Sequence, residues 1–108
     1  MQTVHRGRHA LATLDAAGIG QLTLTDAGAL NIIGSAAMQD LCTALALLRD
    51  HADLRVLVLR GSGDRAFIGG ADIGEMAALT PAAARIFITQ LAGLCDAVAT
   101  LPVPVIAR

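Results

Sequence analysis

Apolar positions in this chain fall into short blocks whose spacing switches between two residues and three or four. Residues 9–14 and 19–25 read as two strands around Asp15-Ala16-Ala17-Gly18. The second alternates, with Leu22 and Leu24 on one face and Gln21, Thr23 and Thr25 on the other, the pattern of a half-buried strand. An antiparallel pair joined by a short loop is the simplest arrangement. Asp26-Ala27-Gly28-Ala29 then turns the chain. Ser35 is placed to cap a helix. From there Met38, Leu41, Leu45 and Leu48 recur at steps of three and four, one apolar face of a helix reaching about His51, with Gln39, Asp40 and Arg49 off the stripe.

Arg55 to Leu59 is a β-branched and leucine run without alternation, which suits a strand buried on both faces of a parallel sheet. Thr80-Pro81 opens a second long helix, Thr as N-cap and Pro at the first helical position. Phe87, Leu91, Leu94, Val98 and Leu101 form its stripe, and Pro102 and Pro104 stop it. Val103 to Ala107 reads as another buried strand with prolines at its beginning. No internal repeat, low-complexity segment or linker divides the chain. These elements predict an α/β protein.

Composition changes that picture in one respect. At 108 residues the chain is one small domain, yet 55% of it is hydrophobic and only 16% charged. A small domain has a large surface for its volume and should need more polar residues, not fewer. Something else is therefore expected to cover part of its apolar surface, a partner subunit or a further stretch of the same chain. The net charge of −1 supplies no basic field for nucleic acid or an anionic membrane, and two Phe without Tyr or Trp offer no platform for stacking bases. No run approaches the ~18 apolar residues of a membrane span. Arg6 and Arg8 ahead of Ala10 to Leu14 imitate a signal peptide, but Asp15 breaks the apolar region too early, so a cytoplasmic location is expected. Cys42 and Cys95 lie inside helical patterns and read as buried small hydrophobes of a reducing compartment rather than a disulfide. His5, His9 and His51 have no partners at metal-ligand spacing and read as surface residues.

Two glycine-bearing stretches offer chemistry. Gly61-Ser62-Gly63-Asp64-Arg65-Ala66 matches a dinucleotide-binding fingerprint after a strand. It does not open a helix, however, and no acidic residue ends a second strand ~20 residues on, as that fold requires. A plain strand-to-loop turn explains it. Gly69-Gly70-Ala71-Asp72 leaves two readings open. The glycines allow a tight turn, with Asp72 capping a helix over Ile73 to Leu79. Alternatively, the Ala71 N–H points into a cleft as one half of an oxyanion hole, where each donor ~3 Å from a developing enolate or alkoxide is worth a few kcal/mol. Asp72 and Glu75, three apart, read as a cap and a solvated carboxylate at a favourable helix N-terminus. No Ser/His/Asp or Cys/His set assembles.

Four motifs then occur in order: Leu30-Asn31-Ile32-Ile33 with Met38 and Leu41; Arg55 through Gly63; Ala66-Phe67-Ile68-Gly69-Gly70-Ala71-Asp72-Ile73; and Leu101-Pro102-Val103-Pro104-Val105-Ile106-Ala107. Together they resemble the N-terminal part of the enoyl-CoA hydratase/isomerase, or crotonase, family over nearly all of the chain from about residue 9. The resemblance implies a crotonase-like spiral of β-β-α turns, with residues 1–108 the N-terminal part of a single domain whose second half is absent, a fragment of a chain more than twice as long. It implies assembly into trimers or dimers of trimers, and an acyl-CoA thioester as substrate with no separate cofactor or metal. By the same resemblance the Ala71 N–H is the first oxyanion donor to the thioester carbonyl. Gly69, Gly70 and Ala71 lie beside the CoA adenine, and Asp72, Ile73 and Gly74 line the acyl pocket. The implied chemistry is enolate stabilisation, assisting addition of water to a 2-enoyl-CoA or migration of its double bond.

There are departures. The family's second donor and its hydratase glutamates lie beyond Arg108, so no acid–base residue carries over and this fragment alone is expected to be inactive. A basic residue near the CoA phosphates often precedes the Asn-start, where this chain has Gly28-Ala29-Leu30, and Gly74 replaces a frequent charged residue. Two rival readings are a non-catalytic CoA-binding or assembly module, and a dinucleotide-binding domain resting only on Gly61 to Ala66.

Overall fold

In the computed structural model, which describes residues 1–108, ten elements follow one another: β1 (Gln2–Arg6), β2 (Ala10–Leu14), β3 (Ile19–Leu24), β4 (Ile32–Ile33), α1 (Ser35–Arg49), β5 (Val56–Gly61), β6 (Gly70–Ala71), α2 (Ile73–Ala77), α3 (Pro81–Ala99) and β7 (Val105–Ala107). β2 and β3 form the expected antiparallel pair, with small residues facing large ones: Ala10 opposite Leu24, Ala12 opposite Leu22, Leu14 opposite Gly20. The inward positions of this pair are buried, and α1 lies across them through Met38, Leu41, Ala44, Leu45 and Leu48. The period-two and period-3.6 stripes meet there to make the core.

β3, β5 and β7 run parallel in one sheet of order β1-β2-β3-β5-β7. β4 and β6 pair in parallel in a second, two-stranded sheet. Each turn of the chain therefore lays one strand in the large sheet, the next in the small sheet, and then a helix. This is the β-β-α spiral expected above. Parallel neighbours need long crossovers, and α1 and α3 supply them.

Several local expectations are corrected. β1 has no signature in the sequence: Gln2–Arg6 is a mostly polar edge strand, irregular between Thr3 and His5, and lacks an apolar rhythm. β5 is not buried on both faces, since Leu57 and Gly61 are buried while Val56, Val58 and Leu59 are half-buried, α1 lying over β1, β2 and β3 instead. β7 is shorter than the run Val103 to Ala107, because Pro104 has no N–H and joins the sheet only by accepting from the Leu57 amide at 3.0 Å. Ser35 is not the N-cap of α1. That position is Gly34, and no side chain of its own closes the helix. The caps at Asp72 and Thr80 form as expected, accepting from Glu75 N at 3.1 Å and Ala83 N at 3.2 Å. α3, at 19 residues, has the length and composition of a membrane span, and buries Phe87 and Leu94 on the side of α1. Both cysteines are free; Cys42 is half-buried, but Cys95 is exposed rather than buried.

Candidate functional site

The stretch from Gly69 to Gly74 is held from both ends by the residues that precede α1. The Gly69 amide donates to the Asn31 carbonyl at 3.0 Å, and the Asp72 amide to the Ile33 carbonyl at 2.9 Å. Between them Gly70 lies opposite Ile32 and Ala71 opposite Ile33. An extended residue turns successive amides to opposite sides of its strand. Gly70, at φ 131°, breaks this alternation between Gly69 and Ala71, so the Asp72 N–H, directed at Ile33 of β4, sets the register beyond it, and the Ala71 N–H one residue before faces away from β4. Ala71 is half-buried, and Gly69 and Gly70 are exposed beside it.

Both glycines are required, for different reasons. Gly70 has φ 131°, a conformation closed to other L residues. At Gly69 a Cβ would strike the Leu30 carbonyl.

Asn31 supports this segment from beneath. It is wholly buried, with φ 52°, and its side-chain amide donates to the carbonyls of Ser62 at 3.0 Å and Ala66 at 2.9 Å. The loop after β5 is thereby tied to the residue whose carbonyl holds the Gly69 amide. In the sequence Asn31 stands out only as part of a motif, and the signal that marks it is a lone amide inside the run Leu30 to Ile33.

Asp72, Ile73 and Gly74 follow at the start of α2, where Asp72 is half-buried and Ile73 stands 79% exposed. Neither carboxylate nearby is idle. Asp72 caps α2, and Glu75, expected to be solvated, accepts from the Ser35 amide. A hollow of about 740 Å³ lies elsewhere, bordered by Leu14, Asp15, Gly18, Asp53 and Arg55. Closer to the segment, a hollow of about 440 Å³ is bordered by Arg60, Arg65, Phe67 and Arg108. Arg65 also borders a hollow of about 290 Å³ with Gly28 and Ala29, so the loop after β5 brings a cation to the turn where the local sequence has none. Neither of the chain's two ion pairs engages Arg65.

Apart from this segment, titratable groups gather at the β1–α1 junction. His5 is not a free surface residue: its Nε2 meets Asp40 Oδ1 at 2.6 Å, and the His9 amide donates to Asp40 Oδ2 at 2.7 Å. Partial burial pushes the Asp40 carboxyl up. Hydrogen bonds from the His5 ring and from the backbone at His9 and Ala10, together with the His5 charge, outweigh this and hold it below the ordinary carboxylate value.

The enoyl-CoA hydratase/isomerase family model matches residues 15–108. The mitochondrial enoyl-CoA hydratase domain-containing protein 2 of Bos taurus is 33% identical over 90 residues, covering 83% of this chain and 30% of that protein. A probable enoyl-CoA hydratase of Mycobacterium bovis is 40% identical over 62 residues, 57% of this chain and 24% of that protein. The crystal structure of enoyl-CoA hydratase from Mycobacterium smegmatis superposes with a TM-score of 0.82 at 30% identity, over 90% of this chain and 38% of that one. An enoyl-CoA hydratase/carnithine racemase structure from Magnetospirillum magneticum, at 24% identity and TM-score 0.85 over 94% of this chain and 39% of that one, shares the fold. The chain thus spans less than two fifths of the length of each of these proteins.

Proposed function

The chain belongs to the enoyl-CoA hydratase/isomerase family, and from that premise we propose that the whole protein acts on acyl-CoA thioesters, adding water to a 2-enoyl-CoA, with the Ala71 N–H as one donor to the thioester carbonyl. The observation that carries this reading is the direction of that amide. Bonds from Gly69 to Asn31 and from Asp72 to Ile33 hold the segment, and the Ala71 N–H, next before that of Asp72, faces the other way. A backbone donor held like this needs no reorganisation as charge develops on the thioester oxygen, so its hydrogen bond strengthens in the transition state, where it accelerates the reaction.

Gly69 and Gly70 would leave room for the CoA adenine against the bare backbone, and Asp72, Ile73 and Gly74 would border the acyl chain, Ile73 offering the apolar surface. Arg65, beside Gly28 and Ala29, is suited to the CoA phosphates because its guanidinium can hold two phosphate oxygens at once. Asp72 and Glu75 are both spent on helix caps, so neither is assigned as general acid or base. Double-bond migration in the same thioester would use the same donor, the two reactions differing in their acid–base groups. Assembly into trimers or dimers of trimers agrees with the apolar surface exposed at Ile86, Ile88 and Ile106.

The test is incubation of the full-length gene product with crotonyl-CoA, following loss of the conjugated thioester absorbance. Loss is expected in the wild type. Ala71→Pro removes the donor and is expected to lower kcat by roughly 10²–10³ with the fold retained. Wild-type turnover in folded Ala71→Pro overturns the donor assignment. Tight CoA binding by the wild type without turnover of any enoyl-CoA leaves a binding module instead.

A further inference from the structure

α1 begins with no cap of its own. Its N-cap residue, Gly34, has no side chain, and the carboxylate that serves the first turn comes from another helix. The Ser35 amide lies 3.2 Å from Glu75 Oε1 and 3.3 Å from Oε2. The charge sits at the positive end of the α1 dipole, where an anion is favoured. Gly34 makes room for it, since a Cβ there would come within 2.9 Å of Glu75 Oε1.

The local sequence would send Glu75 elsewhere. Asp72 and Glu75 have the spacing of a capping box, in which the glutamate turns back to the N–H of its own N-cap residue. Here that N–H is already taken by the Ile33 carbonyl at 2.9 Å, and Glu75 reaches across to α1. α2 needs such a link, for it has five residues and none is buried.

We propose that Glu75 is a positioning residue: its bridge to the α1 N-terminus holds α2, and with it Ala71 to Gly74, in place against β4. The catalytic consequence rests on the reading of Ala71 as an oxyanion donor, since the bridge then sets where that donor points.

The experiment compares full-length wild type, Glu75→Ala, and the double variant Gly34→Ser with Glu75→Ala. The serine gives α1 a cap of its own, and once Glu75 is shortened the nearest remaining neighbour of its Cβ is Asp72 Oδ2 at 3.8 Å. In Glu75→Ala, hydrogen exchange at the Asp72 and Met76 amides, which bond to Ile33 and Asp72 carbonyls, is expected to quicken roughly fivefold, the effect of losing one cap. Turnover of crotonyl-CoA is expected to fall roughly tenfold in kcat. In the double variant the unfolding midpoint returns toward wild type, while exchange stays fast and kcat stays low. A double variant that recovers exchange and kcat along with stability would mean that Glu75 only stabilises α1, and the proposal fails. It fails equally if Glu75→Ala leaves exchange at Asp72 and Met76 unchanged. If the wild type turns over no enoyl-CoA, the reading of Ala71 falls, and the exchange arm still decides on Glu75.

Discussion

Asn31 is wholly buried in a left-handed conformation, and the direction of its side-chain amide follows from the two carbonyls it serves, those of Ser62 and Ala66. Its Oδ1 is buried without a partner, a cost the two donated bonds offset. Gly61 completes the arrangement, because a Cβ there would strike the Phe67 carbonyl and the Asn31 amide nitrogen. Asn31→Asp loses both donors and buries a charge. It is expected to destabilise the protein by about 3 kcal/mol or more, read from denaturant unfolding. Unchanged stability would mean that the loop after β5 is held by something else. The sequence marks this residue only as an amide among leucine and isoleucines; its partners lie 31 and 35 residues away, beyond any local pattern.

Among the elements, the two long helices start by different means. α3 is closed by its own Thr80, followed by Pro81, a local signal that was legible in the sequence. α1 has the equally suggestive Ser35, yet that side chain caps nothing, and the Glu75 carboxylate serves the helix instead. Thr80→Ala is therefore expected to cost about 1 kcal/mol, and Ser35→Ala less than about 0.5 kcal/mol. Thermal or denaturant unfolding of the pair measures the difference, and equal losses would restore Ser35 as a cap. Strands show the same division. β2 and β3 announce themselves by alternation, whereas β4 and β6, two residues each, are too short to carry a period.

Across the whole molecule, β1 is fastened to the rest by its ladder with β2 and by the contact of His5 with Asp40 on α1. The Asp40 carboxyl is held below its ordinary value, so the folded state binds a proton there less readily than the unfolded chain does. Its contribution is present above the unfolded value of about 4 and is lost as pH falls through the lower folded value. Unfolding midpoints measured below about pH 4 are expected to drop with acidity, with a shallower slope in Asp40→Asn. An identical slope in the variant would remove Asp40 from the acid response. Asp26 is likewise held low, by the hydrogen bond and then the charge of Arg8, but both groups are exposed. Solvent and salt screen that pair, and it adds little. Apolar surface stands exposed at Ile73, Ile86, Ile88 and Ile106 among others, so part of the hydrophobic excess seen in the composition lies outside the core.

The sequence by itself determined the elements that carry a period, a cap or an unbroken apolar run: the β2–β3 pair, the stripes of α1 and α3, the strand β5, and the Asp72 and Thr80 caps. These depend on neighbours within about one turn or one hairpin, where side-chain spacing and backbone chemistry act directly. In its ordered motifs it also carried the family and marked Ala71 as the residue to follow. Only the tertiary structure decided which way the Ala71 amide faces, because that depends on bonds from Gly69 and Asp72 to residues 31 and 33 in a ladder with no periodic signal. It alone turned Glu75 from its own helix to one that starts 40 residues earlier. It also gave the β-β-α spiral implied by the family resemblance its register, which recurs in backbone hydrogen bonding between turns without recurring in residue identity.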